Sequence, residues 1–106
     1  MTKDREGYVV AGTVIDDQTE VTLDDLSLFC SVRRERIVAL VDEGVLEPKG
    51  RESSEWRFAG HSLRRAAKAI RLQRDLEIDP AAIALVLDLL DQIESLRAQI
   101  PSHYRR

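Results

Sequence analysis

At 106 residues, with 43% hydrophobic and 33% charged side chains and a formal net charge of -3, the chain has the composition of one folded domain carrying a short appendage. Two full domains and a wholly disordered chain are both excluded on that basis. No apolar run reaches the roughly 18 residues that a membrane span needs, and Met1 to Glu6 lacks the basic start and apolar stretch of a secretory signal, so the expected compartment is the cytoplasm.

Tyr8 to Ile15 is rich in β-branched and aromatic residues and reads as a short strand or an extended piece within a flexible or extended amino-terminal arm over 1–20. Thr22 is the expected N-cap of a first helix running from about Leu23 to Cys30, with Asp24 and Asp25 favouring the positive end of its dipole. Leu23, Leu26 and Leu28-Phe29-Cys30 supply its apolar side. Cys30, the single cysteine, reads as a small core residue rather than a nucleophile. Ser31 offers the cap of a second helix, in which Ile37, Leu40 and Val41 recur at helical spacing and which Gly44 ends, since glycine alone takes a left-handed φ without strain. A helix, a three-residue turn and a helix make a helix-turn-helix.

Val45 to Pro48 and Trp56-Arg57-Phe58 flank a polar stretch and read as the two strands of a β-hairpin wing, with Trp56 and Phe58 on one face pinning it to the core. A third helix is expected over roughly Ser62 to Leu76. Asp79-Pro80 starts a fourth that reaches about Ile100, because proline at the first helical position sacrifices no hydrogen bond. The winged domain therefore spans 21–79, the last helix 80–100 and a tail 101–106, and the fold class is mainly α. On the last helix Ala82, Val86, Leu89, Ile93, Leu96 and Ile100 follow a 4-3-4-3-4 spacing, the seam of a short coiled coil, while Ile83, Leu87 and Leu90 form a second strip. A domain this small has little body with which to cover both strips, so one packs on the winged domain and Val86, Leu89, Ile93, Leu96 and Ile100 are the expected homodimer contacts.

Charge is segregated along the chain. Asp16 to Pro48 holds nine acids against three arginines, Lys49 to Leu76 eight bases against three acids, and Glu77 to Ile100 five acids against Arg97. Arg64, Lys68 and Arg71 make a basic stripe on the third helix that reads either as a binding face or as a solvated face paired with the acidic fourth helix or another subunit.

Val21 to Leu90, about two thirds of the chain, resembles the MerR-like winged helix and more closely the CbpM family of chaperone-modulatory proteins. The resemblance is carried by Leu26-x-x-Phe29-Cys30, by Glu35-Arg36 and Leu40 to Pro48, by Trp56-x-Phe58, and by Arg71-Leu72-x-x-Asp75-Leu76 followed by the acid-dotted Leu85 to Ile93. It implies a bacterial protein that is not an enzyme, and that binds the J-domain of a CbpA-type, DnaJ-like co-chaperone and blocks its work with DnaK. J-domains present a basic helix to their Hsp70, so the acids Asp24, Asp25, Asp42, Glu43 and Glu47 are the candidate partner-binding residues, by imitation of that Hsp70 surface and by steering.

MerR-type regulators commonly place an arginine and a tyrosine two apart in the second helix, where they meet phosphate and groove; the matching positions here are Val38 and Leu40. Phosphate contacts supply much of DNA affinity, so their loss argues for an adaptor. The alternative, a DNA-binding transcription regulator, rests on Arg33, Arg34, Arg36 and Arg57, which otherwise form a solvated, salt-bridged face. His61 and His103 lie far apart with no neighbouring ligand, which argues against a zinc site. No phosphate loop, paired-carboxylate motif or nucleophile-histidine arrangement is present, so neither catalysis nor a cofactor is expected.

Overall fold

Thr22 opens the helical part of the molecule: its hydroxyl accepts from the Asp25 amide at 3.1 Å while the Asp25 carboxylate accepts from the Thr22 amide at 2.9 Å. This capping box satisfies two amide donors at that end, one of the first turn and one of the cap residue itself. The computed structural model describes residues 18–101 throughout and, before them, the backbone of three short strands. These are β1 (Thr2–Lys3), β2 (Gly7–Val10) and β3 (Thr13–Asp16), an antiparallel sheet in the order β1-β2-β3 with Val10 opposite Thr13. The stretch from Tyr8 to Ile15 thus contributes to two strands rather than one. Otherwise the expected arm over 1–20 lies largely outside the described residues, as do His103 and all but the first residue of the expected tail.

From there the order is β4 (Glu20–Val21), α1 (Leu23–Cys30), α2 (Arg34–Asp42), β5 (Phe58–Ala59), α3 (Ser62–Leu76) and α4 (Pro80–Ala98). The helices α1 and α2 join through the expected three-residue turn, but Ser31 does not cap α2. It takes φ 56°, ψ 44° and ends α1, with its own amide bonded to the Leu28 carbonyl and the Val32 amide to the Ser27 carbonyl; Arg33 occupies the cap position of α2 without a side-chain bond. A left-handed conformation costs a non-glycine residue roughly 1–2 kcal/mol. Ser31→Gly should therefore raise stability by about 0.5–1 kcal/mol once glycine's greater unfolded-state freedom is subtracted, a gain readable as a later urea midpoint. Gly44 behaves as expected: at φ 78° it follows α2, its amide bonds the Val41 carbonyl and the Val45 amide bonds the Leu40 carbonyl, the paired bonds of a Schellman stop.

The wing differs from the expected hairpin. Its strands meet only at one bridge, Lys49 with Arg57, closed by two backbone bonds of 2.9 Å, and a 3₁₀ turn at Ser53–Glu55 forms part of its tip. Gly50, at φ 109°, lies where a Cβ would stand 2.7 Å from the Glu55 carbonyl oxygen, so the tip tolerates no side chain there. The reason for the short hairpin is that Phe58 and Ala59 pair with Val21 and Glu20 instead, while Val45 and Leu46 are buried in the core. Phe58 is completely buried and meets the half-buried Trp56 edge to face at 6.1 Å, as the shared-face reading required.

The core is one cluster in which Leu26, Ile37, Leu40, Phe58, Ala66, Ala69 and Ile83 are the most enclosed members. Leu28 departs from the expected apolar side of α1 and is 79% exposed, whereas Phe29 and Cys30 pack partly against the core. The helix α4 begins at Pro80 after Asp79, whose carboxylate makes no capping bond, and it ends at Ala98, slightly before the expected Ile100.

Candidate functional site

The five acids expected to meet a partner are divided by the fold between different duties. Asp24 pairs with Arg34 at 3.1 Å on the surface. Asp25 is committed to the capping box of α1. Asp42 lines a shallow hollow of about 320 Å³ on the outer side of α2 with Arg34, Glu35 and Val38, and Glu47 lies on the rim of a larger groove. Asp42, Glu43 and Glu47 are exposed and hold no side-chain hydrogen bond or ion pair among the described residues.

The placement of Asp42 and Glu43 is physically unfavourable for the isolated chain. They occupy the last residue and the C-cap of α2, where the helix dipole is negative, and its last turn carries no base to offset them. A local electrostatic rule broken with no compensating base in that turn is the pattern expected of a surface that serves something outside the chain.

The arginines needed for a DNA-binding reading are mostly engaged. Arg34 is held by Asp24, the Arg36 guanidinium donates to the Gln73 side-chain oxygen at 2.8 Å, tying α2 to α3, and Arg57 donates to the Trp56 carbonyl at 2.8 Å. Arg33 stands exposed at the cap of α2. At the two positions where the resembling regulators carry arginine and tyrosine, Val38 is half-buried and Leu40 fully buried, so neither could be replaced by a phosphate-gripping side chain without changing the packing beneath.

A residue that pattern reading missed connects the winged domain to α4. Arg65 donates from Nε to the Val45 carbonyl at 2.7 Å, and its two terminal nitrogens reach Asp91 at 3.0 Å and Asp88 at 3.4 Å. Its side chain is 23% exposed, against 57% and 68% for the two carboxylates. The acidic face of α4 is thus partly neutralised by the neighbour of the expected stripe, while Arg64, Lys68 and Arg71 line an open groove of about 1000 Å³ between α3 and α4 with Glu47 and Glu94. Because the carboxylates are solvated, most of the contribution of Arg65 comes from the half-buried bond to Val45, and Arg65→Ala should cost about 1–2 kcal/mol. Hydrogen exchange should show that loss chiefly in the amides around Val45, with a smaller effect in α4.

On α4 the two apolar strips part company. Ile83 and Leu87 are buried against the core, whereas Leu89, Ile93, Leu96 and Ile100 are all exposed and Val86 is half-buried. Leu90, placed by spacing with the buried strip, is also exposed. Beyond Leu87 the helix runs on with no described part of the chain burying it.

Burial raises the Cys30 thiol to a pKa of about 11, which keeps it protonated and unreactive near neutral pH. Among the described residues no group of His, Cys, Asp and Glu could hold a metal ion, and no helix is long and apolar enough to cross a membrane.

Comparison with known proteins adds a family to this geometry. Residues 21–103 match the family model described as MerR HTH family regulatory protein. The chain is similar to the chaperone modulatory protein CbpM of Coxiella burnetii (strain Dugway 5J108-111), 37% identical over 92 residues that cover 87% of each chain. It is similar also to the proteins of that name from Pseudomonas putida (strain W619) and Pseudomonas entomophila (strain L48), 31% and 30% identical over 78 residues, covering 71% of this chain and 77% of theirs. The names given to these relatives describe regulators and modulators, not enzymes.

Proposed function

The chain belongs to the family of MerR helix-turn-helix regulatory proteins and to the CbpM chaperone modulatory proteins, and we propose that it binds the J-domain of a CbpA/DnaJ-like co-chaperone in the cytoplasm and inhibits its action with DnaK. The observation that carries this reading is the outer end of α2, where Asp42 and Glu43 oppose the helix dipole and the last turn holds no base. A basic helix laid against Asp42, Glu43 and Glu47 supplies the missing positive charge. Asp24 and Asp25 add field rather than direct contacts, since one faces Arg34 and the other caps α1. While this surface holds the J-domain's basic helix, the same helix cannot engage Hsp70, so inhibition is competitive and electrostatically steered.

Two copies pair through Val86, Leu89, Ile93, Leu96 and Ile100, which gives each assembly two such surfaces. The engagement of Arg34, Arg36 and Arg57 within the chain supports protein binding over DNA binding. The test is steady-state ATP turnover by DnaK with its J-domain co-chaperone. Added in excess over the co-chaperone, the chain should bring turnover back to the unstimulated rate, and further J-domain should restore stimulation. Undiminished stimulation at saturating chain would end the proposal.

A further inference from the structure

Among the described residues Ser62 is the only polar or charged one that the fold buries, at 4% exposure. Neither its hydroxyl nor its amide has a hydrogen-bond partner there. Buried polar groups are nearly always paired, so two orphan donors on one residue ask for an acceptor from outside the chain. Ser62 opens α3 and lines the groove between α3 and α4, while His61 before it gives no side-chain cap bond. Both donors therefore stand at the positive end of a 15-residue helix, facing an opening.

Positive charge continues along the same wall. Lys68 lines the groove half-buried and makes no hydrogen bond or ion pair among the described residues. It lies about 9 Å beyond Ser62 along the helix axis. Helical side chains lean back toward the N-terminus, so the long stem of Lys68 carries its ammonium toward the first turn. Arg71, exposed and also without an ion pair among the described residues, lines the groove one turn further on. We propose that this end of the groove binds the phosphate group of a small phosphorylated ligand. The Ser62 amide and hydroxyl donate to its oxygens, and Lys68 balances its charge.

A phosphate suits these groups better than a cation or a carboxylate. The free donors and Lys68 repel a cation, and a carboxylate brings one charge and two oxygens in a plane. A phosphate group brings close to two charges and oxygens that meet donors from several directions. The opposite wall is acidic, but Asp88 and Asp91 are held by Arg65, and Glu47 and Glu94 are exposed to solvent. Those carboxylates limit the affinity, and a dissociation constant on the order of 1 mM is expected for free phosphate.

The test titrates the full chain with inorganic phosphate and, separately, with glycerol 3-phosphate, each against sodium chloride at matched ionic strength, while amide NMR signals are followed. Saturable shifts centred on Ser62 and Leu63, absent with chloride, are the expected result. Tighter binding of glycerol 3-phosphate points to an organic phosphate as the ligand, and the reverse order to phosphate itself; either supports the site. Lys68→Gln should weaken binding about tenfold, and Ser62→Ala should abolish it. Lys68 lies outside the core cluster, so its variant reports on the site even where Ser62→Ala folds poorly. Lys49→Gln, which removes an ammonium that pairs with Glu20, should bind phosphate as the parent chain does. Shifts equal to those with chloride, or phosphate binding unchanged in Lys68→Gln, would overturn the proposal.

Discussion

Phe58→Ala should destabilise the protein by about 3–5 kcal/mol, the range for deleting a fully buried phenylalanine. Phe58 has no exposed surface, it packs edge to face on Trp56, and its backbone holds β5 against Val21. The cavity left by alanine would therefore open between the wing, β4 and the helices at once. A small domain has only about 5–15 kcal/mol in hand, so the variant is expected to melt some 15–30 °C lower by the usual entropy scaling. Phe58→Leu, which keeps most of the volume, should cost about 1–2 kcal/mol. Equal melting temperatures for wild type and the alanine variant would contradict the assignment of Phe58 to the centre of the core.

The second large effect concerns binding. Neutralising Asp42, Glu43 and Glu47 together, as Asp42→Asn, Glu43→Gln and Glu47→Gln, should weaken the J-domain complex about ten- to a hundredfold and flatten its salt dependence. The fold should be unharmed or slightly more stable, because the triple change removes two charges that oppose the dipole of α2. Asp25→Asn is a poorer probe, since it disturbs the capping box and mixes a folding effect with a binding one. Calorimetric affinities at two salt concentrations, with a thermal melt for each variant, separate the two effects. An unchanged affinity in the triple variant would place the J-domain elsewhere.

Helix positions were legible because apolar periodicity and punctuation agreed. Thr22, Gly44 and Pro80 mark ends that follow from side-chain chemistry alone, and α1 and α3 occupy the spans that spacing predicted. Ser31 misled for a definite reason: serine is both a good N-cap and, less often, tolerated in left-handed backbone, and only the tertiary path of the chain chooses between them. The wing was misread because local pattern cannot reveal that a strand's partner is β4, almost 40 residues earlier in the chain.

The candidate site was legible as residue types and not as contacts. Five acids could be chosen by charge and helix position, but whether an acid is spent on a cap, as Asp25 is, or on an arginine, as Asp24 is, depends on neighbours in space. Arg65 escaped notice because Arg64, Lys68 and Arg71 form the more regular stripe, and the side on which α4 approaches α3 is fixed by the burial of Ile83 and Leu87 rather than by any feature of α3. Both strips of α4 were visible in the sequence, and the fold decided which one the monomer covers.

The most direct measurement is calorimetric titration of the full chain with the J-domain of the CbpA-like co-chaperone from the same cell, at low and at high salt. Saturable binding that weakens as salt rises is the predicted result. Absence of heat and of any competing effect at either salt concentration would contradict the account at its centre.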